Sequence, residues 1–234
     1  MDAVILAAGL GTRLRPYTLD TPKPLLAIRG RPILDWTLGA LPASIKRVII
    51  VVHYLAEKID GYLRAQKHVR HWQTVVQAEP RGTGDALRSC RHLVDSDQIL
   101  VLNGDDLYGA ADLTSLTRCS AGILVGPVDE PRRFGIVFRK PDGTLDRLVE
   151  KPDLEGTWPA NAGAYIFPRE VFDIELSLSA RGEYEITEYI TELARHRPVH
   201  VIEAQFWLPI GNVDIWRKAE GMNLEDILGA AGSS

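Results

Sequence analysis

The sequence predicts an α/β protein with a doubly wound, mixed but mostly parallel sheet and a small added subregion. Three observations carry that reading. Short apolar runs recur at residues 4–8 (VILAA), 48–52 (VIIVV) and 99–102 (ILVL), as expected of strands covered on both faces. Between them lie segments whose apolar residues fall at helical spacing, such as Ile33, Leu34, Leu38 and Leu41, and then Ile59, Tyr62 and Leu63. After residue 120 this alternation gives way to closely spaced strands, including a hairpin expected at 134–138 and 145–150 around Pro141-Asp142-Gly143.

The first apolar run stops at Gly9-Leu10-Gly11, followed at once by Thr12, Arg13 and Arg15, with Lys23 in a stiff Thr-Pro-Lys-Pro segment. Glycines directly after a strand let backbone N–H groups approach phosphate closely. Arg and Lys nearby suit a highly charged anion. The stretch is neither a P-loop, which needs Gly-Lys-Ser/Thr, nor the Rossmann dinucleotide fingerprint, whose third glycine is replaced by Leu14.

Residues 47–52 form the next expected strand, with Arg47 at its head, and Pro32 is placed to open the helix before it. The strand at 74–77 runs into a second glycine loop, Gln77-Ala78-Glu79-Pro80-Arg81-Gly82-Thr83-Gly84, and a helix at 85–92. A helix start with Thr83 as cap explains the Gly-Thr-Gly but not an amide at the strand end, which suits the edge of a nucleobase. The strand at 99–103 ends in Gly104-Asp105-Asp106. Carboxylates at the C-terminal edge of a parallel strand face the same crevice as the first loop, and their hard oxygens suit Mg²⁺ on phosphates. Asp106 is the less favoured ligand, because its side chain should point away from that of Asp105.

Composition sets limits. The 234 residues are 45% hydrophobic, enough for one full core, and net charge is −4 with no basic run, which argues against nucleic acid as the partner. No apolar stretch reaches membrane-spanning length. The N-terminus lacks a leader pattern, so a cytoplasmic protein is expected. Cys90 and Cys119 fit neither a metal nor a redox motif and are read as reduced, mostly buried thiols. His53, His68 and His71 have no partner at metal-binding spacing and are read as surface or core histidines.

Taken together, Gly9-Leu10-Gly11-Thr12-Arg13-Leu14-Arg15-Pro16, Thr21-Pro22-Lys23-Pro24-Leu25, Gly104-Asp105-Asp106, Arg133-Phe134-Gly135-Ile136-Val137, Glu150-Lys151-Pro152 and Asn161-x-Gly-x-Tyr-x-Phe closely resemble the sugar-1-phosphate nucleotidylyltransferases. The nearest likeness in motifs is to the glucose-1-phosphate thymidylyltransferase branch. The resemblance implies joining of an NTP, expected to be UTP or dTTP, to a sugar 1-phosphate with release of pyrophosphate. It implies Mg²⁺ on Asp105 and a nucleotide site from Leu6, Ala8, Gly9, Gly11, Thr12, Arg13, Gln77, Gly82 and Thr83. It also implies a small sugar-binding subregion with Gly135, Glu150, Lys151 and Asn161, and catalytic roles for Arg13, Lys23, Asp105 and Lys151. Residues 179–188, similar to a stretch that opens a late helix in that branch, are expected to be mainly structural. A single domain over residues 1–228 and a tail at 229–234 are expected, with a homo-oligomer left open.

One departure stands out. Where the family usually has Trp-x-Asp-x-Gly, whose Asp completes the metal site, this chain has Trp207-Leu208-Pro209-Ile210-Gly211. That keeps open a catalytically weak, nucleotide-sugar-binding regulatory homologue. A dinucleotide-binding oxidoreductase is a further alternative, disfavoured by Leu14.

Overall fold

The computed structural model describes residues 1–225, so the tail expected at 229–234 lies outside the described residues. In chain order, the first part runs β1 (Asp2–Leu6), the two-residue strands β2 (Ala27–Ile28) and β3 (Arg31–Pro32), α1 (Ile33–Gly39), β4 (Arg47–Val52), α2 (Ala56–Ala65), β5 (Trp72–Val76), α3 (Thr83–Ser89) and β6 (Gln98–Asn103). The second part continues with β7 (Asp106–Tyr108), α4 (Ala110–Leu116), β8 (Gly122–Val128), β9 (Gly135–Arg139), β10 (Leu145–Glu150) and β11 (Trp158–Pro168). It closes with α5 (Ile186–His196), β12 (His200–Glu203), β13 (Trp207–Pro209) and α6 (Val213–Glu220).

The main sheet has the order β10-β9-β11-β6-β1-β4-β5, with β8 paired to β11 and β12. The strands β6, β1, β4 and β5 are mutually parallel, whereas β11 runs antiparallel to β6. The expected mixed, mostly parallel doubly wound sheet is therefore what the chain forms. It builds outward from β1 to β4 and β5, then crosses back to place β6 on the other side of β1. That reversal makes a crevice beyond the C-terminal ends of β1 and β6, where Leu6 and Asn103 are register partners.

The period of two explains the layering. Within β1, β4 and β6, Val4, Leu6, Ile49, Val51, Ile99 and Val101 face a core shared with α3 and α5. Their alternates Ala3, Ile5, Val48, Ile50, Leu100 and Leu102 face the core under α1, α2 and α4. A third cluster of Leu14, Ile28, Ile33, Trp36, Leu107 and Ile210 lies beneath the first loop and ties it to β13 and α6.

Several expected boundaries shift. The helix after the second glycine loop opens at Thr83 rather than Asp85 and ends at Ser89. Pro32 caps α1 from outside instead of occupying its first turn. Cys90 is buried but Cys119 only half-buried, and both are free thiols.

Candidate active site

Glycine loop, lysine and aspartate meet at the switch point. A cavity of about 310 Å³ opens beyond the ends of β1 and β6 and is lined by Leu6, Ala8, Gly9, Lys23, Gln77, Gly82, Thr83 and Asp105 from the predicted set. Ala7, Pro24, Pro80, Ala86, Asn103 and Glu183 complete the wall, and none of these was singled out from sequence. The small residues needed at a close phosphate approach carry little signal one by one. Glu183 comes from a segment a hundred residues away.

The first loop is set by a left-handed residue. Gly11 has φ 62° and accepts at its carbonyl from the Thr18 hydroxyl at 2.8 Å. The loop then enters a single 3-10 turn, Thr12–Leu14, with Leu14 buried and Arg13 exposed. Gly11, Thr12 and Arg13 stand outside the cavity wall, and Arg13 makes no hydrogen bond or ion pair among the described residues. Its guanidinium reaches toward Gly211, on the stretch following β13.

Lys23 lies in another 3-10 turn, Lys23–Leu25, and is almost wholly buried. Its ammonium is paired with the carboxylate of Asp105, which remains open to the cavity. Asp106 next to it is buried at the head of β7. Burial first, and then the charge of Asp105, push its carboxyl above the ordinary carboxylate range, with Lys23 acting in the opposite direction. The Trp207 indole N–H donates to Asp106 Oδ2 at 3.3 Å. As expected, the two aspartates diverge, one toward the cavity and one inward.

Pro209 is the register partner of Asp106 in the β7–β13 ribbon, so the proline stands directly opposite the buried aspartate. Among the described residues no group of three or more His, Cys, Asp or Glu side chains is arranged to hold a metal ion. What remains is one accessible carboxylate beside a second buried one, with a single ammonium to balance them. Such a donor set fits an ion that keeps most of its ligands from water and phosphate, the habit of Mg²⁺, rather than a protein-only cage.

The second glycine loop is clamped by a distant segment. Gly82 sits at φ 109°, and a side chain there would run into the backbone of Tyr184. Gly84 N–H donates to the Tyr184 carbonyl and Tyr184 N–H to the Arg81 carbonyl, both at 2.8 Å. Thr83 does not cap its own helix. Its hydroxyl accepts from Ile186 N–H at 3.0 Å, serving the start of α5. The stretch expected to be mainly structural therefore holds the loop from outside while placing Glu183 in the cavity wall.

Gln77 is buried, and its amino group donates to the Gly82 carbonyl at 3.1 Å and to Asp85 Oδ2 at 3.0 Å. Asp85 is itself held by Arg88 at 2.8 Å and Arg81 at 3.4 Å. Burial alone would raise the Asp85 pKa, but the Gln77 hydrogen bond and the two guanidinium groups overcome it and keep the carboxyl below its usual range. His53, read as a surface or core histidine, bonds the Gln77 backbone carbonyl through Nδ1 at 2.8 Å.

The residues expected to meet the sugar lie apart from that cavity. Gly135 and Glu150 are register partners at the open end of the β9–β10 hairpin. Lys151 follows with a left-handed backbone, φ 47°, its N–H donating to the Phe134 carbonyl at 2.9 Å. The Glu150 side chain has a face open to solvent but sits in a concavity shared with Ser179 and Glu185. The resulting desolvation, reinforced by Glu185 and opposed by Arg181, raises its pKa. Asn161 uses both ends of its amide internally, donating to the Tyr165 hydroxyl at 2.7 Å and accepting from Gly163 N–H at 3.0 Å. It thereby shapes the bulge in β11, where Gly163 at φ 70° packs so closely on Asn103 that a side chain would strike the Asn103 carboxamide. The two regions are joined by Trp207, which bonds Asp106 and meets the Phe134 ring edge-on at 5.7 Å.

With this geometry in place, comparison with known proteins decides the family. Residues 2–224 match the family described as Nucleotidyl transferase.

This chain belongs to the nucleotidyl transferase family.

The family assignment removes the dinucleotide-binding oxidoreductase alternative. Relatives include Bifunctional protein GlmU of Methanocaldococcus jannaschii, 33% identical over 214 residues and covering 90% of this chain and 51% of that protein. Mannose-1-phosphate guanylyltransferase catalytic subunit beta of Danio rerio is 34% identical over 224 residues, covering 90% of this chain and 61% of its own length. The chain spans about half the length of the GlmU relatives it matches. A Bacillus anthracis protein described as a glucose-1-phosphate thymidylyltransferase, solved with sucrose, superposes with a TM-score of 0.82 at 26% identity, covering 94% of each chain. Among the described residues no helix is long and apolar enough to cross a membrane.

Proposed function

We propose that this domain joins a nucleoside triphosphate, UTP or dTTP, to a sugar 1-phosphate, giving an NDP-sugar and pyrophosphate. The observation that carries the reading is the convergence of the first glycine loop, Lys23, Asp105 and Gln77 on one cavity at the switch point. The sugar phosphate oxygen attacks the α-phosphorus and pyrophosphate leaves, with no covalent enzyme intermediate. Catalysis is then a matter of positioning and charge neutralisation.

In this reading the Gly9–Gly11 backbone cradles the triphosphate. Lys23, already desolvated and aimed at the carboxylate edge, contacts phosphate oxygens near the reacting centre. Arg13, exposed and unpaired, takes the leaving pyrophosphate. Lys151 orients the nucleophilic phosphate, while Gly135 and Glu150 meet sugar hydroxyls, and Asn161 completes that side. Mg²⁺ would be held by Asp105, and when bound it supplies charge neutralisation across the phosphates. The preference for a pyrimidine is supported by Gln77, whose amino group is occupied, leaving its carbonyl for a base N–H.

A pyrophosphate-release screen of each NTP against sugar and polyol 1-phosphates tests the reading. Release with UTP or dTTP and one sugar phosphate is expected. No release with any pair, or a clear preference for ATP or GTP, overturns it. Pro209 opposite Asp106 favours a second reading, a regulatory homologue that binds nucleotide sugars with little turnover. Tight nucleotide-sugar binding without pyrophosphate release would select it.

A further inference from the structure

The carboxamide of Gln77 is ambivalent by chemistry. It has one acceptor oxygen and two donor hydrogens, and a half-turn of its end group exchanges them. An amide free to turn would accept from the ring N–H of uracil or thymine, or donate to the bare ring nitrogen of cytosine, with similar ease. Selection between these bases therefore needs something behind the glutamine that fixes which end looks outward.

The surroundings supply it. Both groups that meet the Gln77 amino end, the Gly82 carbonyl and Asp85 Oδ2, are acceptors only, so the amino group must face them. Turning the amide over would lose two hydrogen bonds, one of them to a charged group, and set oxygen against oxygen. Asp85 divides its oxygens: Oδ2 serves Gln77, while Oδ1 takes Arg88 at 2.8 Å and Arg81 at 3.4 Å. Gln77 and Asp85 are only 4% and 8% exposed, so water competes poorly for these bonds. Asp85, Arg81 and Arg88 line a shallow depression on the outer side of Gln77, away from the nucleotide cavity that Gln77 also lines. No described group donates to Gln77 Oε1, and that atom is not sealed from solvent.

We infer that Asp85 is a specificity-determining positioning residue. Braced by Arg88 and Arg81, it holds the Gln77 amino group turned away from the base so that only the carbonyl meets it, and the site selects a pyrimidine with a ring N–H over cytosine. This rests on the base-reading role of Gln77 proposed above, and Asp85 itself touches no substrate.

Asp85→Asn gives a directional test. Arg88 and Arg81 would keep the Asn oxygen, leaving its amino group toward Gln77. Two amino groups cannot pair, so only the Gly82 carbonyl still holds the Gln77 amino end, and the amide loses its fixed orientation and presents its amino group to the cavity in part of the molecules. The ratio of kcat/KM for UTP over CTP should fall by about tenfold or more, the size of one misdirected hydrogen bond. Calorimetric affinities for the two nucleotides should move in the same sense. If wild type discriminates and Gln77→Ala abolishes the discrimination, yet Asp85→Asn weakens both nucleotides equally, the inference on Asp85 fails while the role of Gln77 stands. If Gln77→Ala leaves the wild-type ratio unchanged, the underlying reading fails too. Should Asp85→Asn not fold, the Gln77 side-chain amide in NMR spectra of the wild type decides. Both amino protons should be protected from exchange before and after UTP is added, and free exchange of either in the unliganded protein overturns the inference.

Discussion

The two regions that face the proposed substrates are built in opposite ways. On the nucleotide side, Lys23, Gln77 and Asp85 are buried and paired before any ligand arrives. On the hairpin side, Glu150 and Lys151 are exposed, and the Lys151 ammonium makes no hydrogen bond or close ion pair among the described residues. Buried polar groups must be satisfied to be tolerated, so the nucleotide region is a fixed template whose errors are costly. Exposed groups at a hairpin end can change with little structural penalty, so under the proposed function that side is the one free to adapt.

Removing the charges proposed to meet the triphosphate should give the largest effects. Lys23→Ala, Asp105→Asn and Arg13→Ala should each lower kcat/KM by roughly a hundredfold or more, the usual cost of one preorganised charge contact. Pyrophosphate release alongside circular dichroism checks this, and folded variants with near-normal rates would remove the central role of the switch-point cavity. Lys151→Ala should have a smaller and one-sided effect. KM for the sugar phosphate should rise by about tenfold, the loss of one charged hydrogen bond, while KM for the NTP stays put. Equal changes in both constants would erase the distinction between the regions.

Pro209→Asp sharpens the comparison at the point where the regions meet. A second carboxylate opposite Asp106 should lower the Mg²⁺ concentration needed for half-maximal rate. A titration curve unchanged from wild type, with the fold intact, would place the ion elsewhere.

The smallest effect concerns acid. The folded pKa of Asp85 lies below its ordinary value, so its stabilisation is present above the unfolded pKa and lost as pH falls through the folded one. Glu150 has the opposite sign. Its folded pKa is raised, so its ionised form weakens the fold at neutral pH, and that penalty disappears below the ordinary glutamate value of 4.5. Glu150→Gln should therefore raise the melting temperature slightly at pH 7 and leave it unchanged near pH 4. A lower melting temperature at pH 7 would contradict the partial desolvation of this side chain.

Much of this protein was legible along the chain. Apolar runs of strand length fixed which segments lie in the parallel core, because a strand covered on both faces has no polar alternation to hide. Local grammar placed the glycine loops, the hairpin around Pro141-Asp142-Gly143 and Asp105 at a strand end, since each depends on a few adjacent residues. The inward turn of Asp106 followed from alternation alone. Other features depended on partners remote in sequence. Nothing near Thr83 indicates that its hydroxyl would serve α5, or that Tyr184 would clamp Gly82. Likewise, the register that sets Pro209 against Asp106, and the bond from Trp207 that ties the hairpin to the carboxylates, span about a hundred residues. Residue type and spacing determine a strand, a turn or a loop through local sterics and hydrogen bonding. Which end of the Gln77 carboxamide is left free, the oxygen or the amino group, is settled only when the fold closes acceptors around the amino end.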